Sequence, residues 1–345
     1  MSKQQDKVIR ALDLGWGYTK YSHKNTDSND LEFLSFPSLA PRHAGLDLSM
    51  SAIGRRDTVV IEIDGTQFEI GPDSADLDSN DASRNLNDQY VMTEQYKAVF
   101  YGALHYIGEN VIDVLVVGLP LSNMGFADKL KAIVVGTHKI NSTTSVVVKD
   151  AIVMPQPLGG LYYCLSLAKT LPVLEFMNEE TNLVIDPGFF TFDFLTAIGE
   201  KVVENRSSAH NAGVSTILRN IAKSISNKHG IKYDNLSAID KGLRRRKMKI
   251  NGEIENMEEH IKSTRSVLEA AVNYMKNMVG DGADIDNIIL LGGGSSIFQK
   301  TIAAYFPRHE IILIDDAQMS NVKGFQLAGE KFCAEMVAKS KKIET

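Results

Sequence analysis

Three short runs in the sequence carry residue types suited to holding a phosphorylated ligand. The first is Asp13-Leu14-Gly15-Trp16-Gly17-Tyr18-Thr19-Lys20, which fits a DxGxGxxK pattern. A strand ending in such a turn presents consecutive backbone N–H groups, and these favour an anion such as phosphate. Lys20 adds a positive point charge, and Asp13 has the chemistry to hold a magnesium-bound water. Taken alone, the run also reads as an ordinary hairpin with an exposed lysine. The second run is Asp186-Pro187-Gly188-Phe189-Phe190-Thr191-Phe192-Asp193. Two such turns facing one another clamp a polyphosphate from both sides, and their carboxylates orient one hydrated cation. The third is Gly292-Gly293-Gly294-Ser295 after Ile289-Leu290-Leu291. Glycines there leave no side chain between backbone and ligand, so a flat base or ribose can lie against the chain.

These runs need strands to aim them. Residues 8–12 are a short apolar run that stops at Asp13, and residues 183–185 stop at Asp186 in the same way, about half the chain further on. Apolar periodicity predicts further strands at 33–36, 58–63, 66–70, 111–117, 145–154, 192–198, 288–291 and 311–314. Asp64-Gly65 marks a hairpin, and 71–89 reads as a polar surface loop. Helical spacing predicts helices at 93–107, 158–170, 213–228, 258–279 and 322–337, with a helix after Gly294 capped by Ser295 or Ser296. Strands alternating with helices give an α/β chain. Two halves that each place an aspartate–glycine turn after a buried strand describe a duplicated domain folded around a shared cleft.

Composition narrows the class. At about 150 residues per domain, 345 residues make two domains. The chain is 43% hydrophobic and 23% charged with nine prolines, which excludes wholesale disorder. A net charge of -6 argues against a general polyanion-coating protein. Cys164 and Cys333 lie far apart, which leaves no disulfide framework and points to a reducing cytoplasm. The first fifteen residues lack the apolar core of a secretory signal, and no stretch reads as a membrane span.

The order DLGWGYTK, VMPQPLGG (153–160), DPGFFTFD, LLGGGSS and NVKGFQLAG (321–329) resembles the five signatures of the actin-like ATPases: phosphate 1, connect 1, phosphate 2, adenosine and connect 2. VGLPLS (117–122), VMPQ and SSAHNAGVS (207–215) are most similar to the ParM/StbA plasmid-segregation proteins, and DPGFFTFD to the subgroup called PRTRC system protein D. The resemblance implies duplicated ribonuclease H-like domains with a nucleotide cleft between them: residues 1–172, completed by the C-terminal helix 320–345, and residues 173–319. It implies that Asp13 and Asp186 position hydrated magnesium and that Lys20 meets the β- and γ-phosphates. Gln156 takes the place of a residue that orients the attacking water, making Gln156 and Asp186 the catalytic pair. Gly15, Trp16, Gly17, Tyr18, Thr19, Gly188, Phe189, Phe190 and Thr191 then contact phosphate, and Gly292, Gly293, Gly294 and Ser295 contact adenosine. Glu259 and Lys262, an ExxK pair on a helix, resemble a pair that holds adenine and ribose. Trp16, Phe189 and Phe190 depart from the small residues of many relatives. Their rings either fold outward or narrow the pocket and slow hydrolysis.

The implied activity is a slow ATPase, using ATP or GTP with Mg2+, that polymerises and segregates plasmid DNA through a DNA-binding adaptor in the cytoplasm. Two other functions fit the fold: a small-molecule kinase with Asp193 as base, and a non-polymerising regulatory or chaperone-type ATP-binding module. The basic run 241–249 reads as a solvated loop or filament contact rather than a DNA contact, since no aromatic residues interleave it. Lys339, Lys341 and Lys342 read as a solvated tail.

Overall fold

The structure, a computed structural model, describes residues 7–45, 56–77 and 89–343, with side chains described as far as residue 339. Residues 1–6 of the N-terminal reading and 78–88 of the polar stretch lie outside the described residues.

The first half opens with β1 (Ile9–Leu14), buried along its whole length, followed by β2 (Tyr18–Lys24) and β3 (Leu31–Pro37). The hairpin β4 (Val59–Ile63) and β5 (Thr66–Ile70) comes next, then α1 (Glu94–Ile107), whose first turn is capped by Thr93 Oγ1 accepting from Tyr96 N. After these come β6 (Val111–Ile112), β7 (Val114–Leu119), α2 (Ala127–Val134), β8 (Gly136–Lys139), β9 (Ser145–Val148), β10 (Ala151–Pro155) and α3 (Gln156–Leu167). The sheet runs β10-β7-β1-β2-β3, with β7 parallel to β1 and to β10, and β2 antiparallel to β1.

The second half repeats this plan. It contains β11 (Thr181–Pro187), β12 (Phe192–Ile198), β13 (Lys201–Val202), β14 (Ser208–His210), α4 (Val214–His229), α5 (Leu236–Arg245) and the hairpin β15 (Lys247–Ile250) with β16 (Glu253–Asn256). Then follow α6 (Met257–Lys262), α7 (Arg265–Val279), β17 (Asn287–Leu290), α8 (Ser295–Tyr305), β18 (Ile311–Leu313) and α9 (Ser320–Ile343). The second sheet runs β13-β12-β11-β17-β18, again with one antiparallel neighbour of the central strand and two parallel strands on its other side. The repeat holds residue by residue: Asp13 stands opposite Lys20 across β1 and β2, and Asp186 opposite Asp193 across β11 and β12.

Two helices join the halves. α9 packs against α3, β1 and β7, burying Val322 and Phe325 among Ile9, Ala11, Val114 and Val116. On another face of α3, Leu161 and Cys164 bury against Val184, Leu195, Ile289 and Leu291 of the second sheet. Burying apolar surface on two faces fixes both sheets to one helical pair. Among the described residues no helix is long and apolar enough to cross a membrane.

Three expectations need correction. The helix expected over 258–279 is two, because Ser263 Oγ and Thr264 Oγ1 donate to the carbonyls of His260 and Ile261 and so compete with the helical ladder. The strand expected over 145–154 is also two, since β9 pairs with β6 and β8 whereas β10 crosses to β7. No serine hydroxyl caps α8: Gly294 holds the cap position and Ser295 is already helical.

Candidate functional site

The first turn leaves β1 at Leu14 and re-enters the sheet at Tyr18. Ser38 braces it, donating from Oγ to the Gly15 carbonyl at 2.5 Å and from N to the Gly17 carbonyl at 3.0 Å. Thr19 Oγ1 lies 2.9 Å from the same hydroxyl. The chain on both sides of Trp16 is thus fixed before any ligand arrives. At the end of β1, Asp13 is wholly buried; its Oδ2 accepts from Lys20 Nζ at 2.7 Å and its Oδ1 from Gln156 Nε2 at 2.6 Å.

The second turn mirrors the first and touches it. A Cβ added at Gly17 would lie 2.8 Å from Phe189 Cβ, so only glycine lets the turns approach this closely. Gly188 N donates to the Thr191 carbonyl at 2.8 Å, while Val214 N and Ser215 N of α4 donate to the Gly188 and Phe189 carbonyls at 3.0 and 2.6 Å. The first N–H groups of α4 are therefore engaged by the turn. The glycine run follows β17, with Gly294 N donating to the Pro187 carbonyl at 2.9 Å. Gly292 has φ +75, and a Cβ there would fall 2.0 Å from Asp186 Oδ1. A Cβ at Gly293 would meet nothing within 4 Å, which marks the open face of the run.

Burial sets the electrostatics. It raises the Asp186 carboxyl above the ordinary carboxylate range, against the opposing pull of a 2.6 Å hydrogen bond from Asn321 Nδ2 and the Lys20 charge. Burial alone would lower the Lys20 ammonium, but its charge and hydrogen-bond contact with Asp13, with Asp186 beyond, raise it. Asp193 is pushed up to about 7, chiefly by burial. Its Oδ1 accepts from Leu121 N at 2.9 Å, a bond from the second sheet to the loop after β7.

The cleft brings together Asp13, Gly15, Trp16, Gly17, Tyr18, Lys20, Gln156, Asp186, Gly188, Phe189, Thr191, Gly292, Gly293 and Gly294. Thr19, Phe190, Ser295, Glu259 and Lys262 are not among its lining residues. Thr19 is buried on Ser38, and Phe190 packs on Trp16 with ring centroids 4.8 Å apart. One phenylalanine of the second turn thus folds against the first half's core while the other narrows the cleft. Glu259 pairs with Lys228 at 3.1 Å. Five further residues, Val214, Asp240, Arg244, Gln318 and Asn321, also line the cleft. The signal for Asn321 was present, since it opens NVKGFQLAG; Arg244 was hidden inside a basic run that reads as solvated.

The cleft has a volume of about 80 Å³ and adjoins a pocket of about 560 Å³ that shares Asp240, Arg244 and Gly293 with it. Ile217, Ile221, Glu258, Ile261 and Thr264 also line the larger pocket. The helix carrying the expected ExxK pair reaches that pocket, but through Glu258 and Ile261. The smaller space suits phosphate groups and the larger one a base with its sugar.

A hydrated divalent cation fits the residues present. Two buried carboxylates converge there, and Asn321 Oδ1 is a buried acceptor with no hydrogen-bond partner among the described residues. Hard cations that keep their waters are held in this way, through carboxylates and outer hydrogen bonds.

Two like-folded halves that share one cleft define an actin-like fold. Residues 11–159 match the family described as Actin like proteins N terminal domain, and residues 184–304 match Archaeal actin homologue MreB-like, C-terminal. The chain belongs to the actin-like proteins. Among solved structures it is similar to a non-polymerisable quadruple mutant of pCBH ParM, with TM-score 0.75 and 20% identity over 94% of this chain and 100% of that one. A 15-stranded ParM filament from Clostridium botulinum matches with TM-score 0.72 and 19% identity over 95% and 100% of the two chains. The archaeal actin homolog Ta0583 in complex with ADP matches with TM-score 0.69 and 18% identity over 94% and 99%. No curated protein matches the chain in sequence comparison.

Proposed function

We propose that this protein is an ATPase that binds Mg-ATP, or GTP, between its halves and assembles into filaments that segregate plasmid DNA through a DNA-binding adaptor. The observation that carries the reading is that two repeated carboxylate turns close on one cleft with Lys20 between them, its Nζ 2.7 Å from Asp13 Oδ2. The ADP complex and the ParM filament among the similar structures support nucleotide binding and self-assembly. In this reading residues 1–172 with 320–345 form one domain, 173–319 the other, and the protein works in the cytoplasm.

Each residue then has a task. The turns at Gly15–Gly17 and Gly188–Thr191 cradle phosphate oxygens with backbone N–H groups, and Lys20 turns from Asp13 to the phosphates. Gly292, Gly293 and Gly294 leave room for the sugar, and the pocket lined by Ile217, Ile221, Glu258 and Ile261 takes the base. Asp13 and Asp186 would hold magnesium through water, which would supply positive charge beside the phosphates. Gln156 is clamped by its Nε2 on Asp13, which leaves its Oε1 to accept from the attacking water. That positions the water without any proton transfer by the side chain.

The test uses the single tryptophan, Trp16, which lines the cleft. Titration with Mg-ATP should change its emission saturably in the wild type and not in Lys20→Ala or Asp186→Ala, and light scattering should rise with ATP in the wild type alone. Identical behaviour of all three proteins would remove this cleft as the nucleotide site.

A further inference from the structure

The two most exposed large hydrophobic side chains among the described residues are Ile254 (72%) and Phe176 (60%), and each sits in a patch of strong and opposite charge. Ile254 belongs to the β15–β16 hairpin, which with α5 and Tyr233 encloses a groove of about 480 Å³. Its floor is Tyr233, Ala238, Gly242 and Met248, and its rim carries Lys241, Arg245, Lys247 and Lys249. All four cations are exposed, and among the described residues none has an ion-pair partner. On a chain of net charge -6, this groove is a local inversion.

Phe176 belongs to the turn between α3 and β11. Leu174 and Met177 are wholly buried and pin that turn to the core, with Met177 N donating to the Leu174 carbonyl at 3.1 Å and Glu179 N to the Phe176 carbonyl at 2.9 Å. Asn182 Nδ2 holds it from below, donating to the Met177 carbonyl at 2.8 Å. Val173 and Phe176 are thereby pushed into solvent, 52% and 60% exposed, with Glu175 and Glu179 exposed beside them. A prebuilt apolar knob loses little conformational freedom on docking.

We infer that the knob at 171–180 of one copy of this chain seats in the basic groove of the next copy. Apolar anchors on the knob match the apolar floor, and Glu175 and Glu179 match the cationic rim; such charge matching sets register and speeds encounter. Within one chain the two patches cannot meet. The knob stands at the N-terminal end of β11, and that strand of seven residues, roughly 23 Å long, runs from it to the cleft. The groove adjoins the cleft, because α5 turns Asp240 and Arg244 to the cleft and Lys241 and Arg245 to the groove. One surface that fits a different surface of the next copy makes a heterologous, open-ended contact. Since α5 lines both spaces, a ligand held by Arg244 also bears on the groove.

This inference rests on the proposed self-assembly, and the test separates the two. Two singly substituted full-length chains, Phe176→Cys and Ile254→Cys, are mixed with Mg-ATP and a short bismaleimide; the native Cys164 and Cys333 are buried. The inference expects cross-linked dimers in the mixture and none in either chain alone. The double variant Arg245→Glu/Lys249→Glu should raise the critical concentration for pelleting by at least about tenfold. The partner variant Glu175→Lys/Glu179→Lys should restore assembly on mixing, while Trp16 titration shows nucleotide affinity unchanged in both. If the wild type assembles and the charge variants pellet as it does, the contact is overturned and self-assembly stands. If the wild type binds nucleotide and never assembles, self-assembly falls and the contact with it. If the groove variants assemble normally and instead lose retention of a DNA duplex, the groove is a nucleic-acid surface and the inference is wrong.

Discussion

Gln156 Nε2 donates to Asp13 Oδ1 at 2.6 Å, which ties the first residue of α3 to the end of β1. Gln156 is 8% exposed and its side chain makes no other hydrogen bond among the described residues, so one end of its amide is fixed and the other faces the cleft. Gln156→Ala should therefore slow ATP hydrolysis by about 10²-fold, the scale of a misplaced reactant, and change nucleotide affinity little. Phosphate release and Trp16 emission, measured on the same protein, check the two halves of that statement. A variant that hydrolyses at the wild-type rate would leave Gln156 as a bracket for Asp13 and nothing more.

Gly292 is held by conformation and by space together. Its φ of +75 disfavours any L side chain, and an added methyl would meet Asp186 Oδ1 at 2.0 Å. Gly292→Ala should cost about 1–3 kcal/mol in backbone strain and push the Asp186 carboxylate out of line. Thermal unfolding should report the loss of stability, and magnesium-dependent nucleotide binding should weaken. Gly293→Ala is the control, since a methyl there meets nothing within 4 Å.

These two sites show what a single sequence makes legible. Both turns could be read because each is local: an apolar strand, an acid at its end, then glycines within four residues. The repeat of strand and turn gave the two-half architecture for the same reason. Arg244, Asp240 and Gln318 could not be ranked that way, because they reach the cleft from α5 and from the turn before α9, far along the chain from the two aspartate turns. The ExxK helix failed by one helical position: periodicity identified the helix, but which residues face the pocket depends on the break at Ser263 and Thr264 and on packing against α4.

Asn321 supplies a sharper test of the coupling between halves. Its Nδ2 bonds Asp186 Oδ2 at 2.6 Å, and both side chains are buried. Asn321→Asp replaces that donor with a second carboxylate. Like charges at this distance in a buried site are strongly unfavourable, so one of the pair must hold a proton. The variant should unfold at a lower temperature than the wild type, by more at pH 8 than at pH 5, and magnesium should recover part of the difference. A melting temperature equal to the wild type at pH 8 without magnesium would show that the contact carries no weight.

Asp193 provides a pH dependence with a definite sign. Burial, with Asp186 nearby, raises its carboxyl from 3.8 to about 7 in the folded protein. Below about pH 4 it is protonated whether folded or not, and it contributes no difference. Between there and about pH 7 the unfolded chain has released a proton that the folded chain still holds, so each step upward in pH lowers stability. Above about pH 7 the penalty is constant. Asp193→Asn keeps an oxygen to accept from Leu121 N and removes the ionisation. It should be close to the wild type in stability near pH 4 and gain on it up to about pH 7, reaching on the order of 4 kcal/mol. Chemical denaturation in EDTA from pH 4 to pH 8 measures this directly, because chelation keeps divalent cations away from the neighbouring Asp186. A stability difference that stays flat across that interval would mean that Asp193 is ionised in the fold throughout, and that the bond to the loop after β7 is made by a carboxylate.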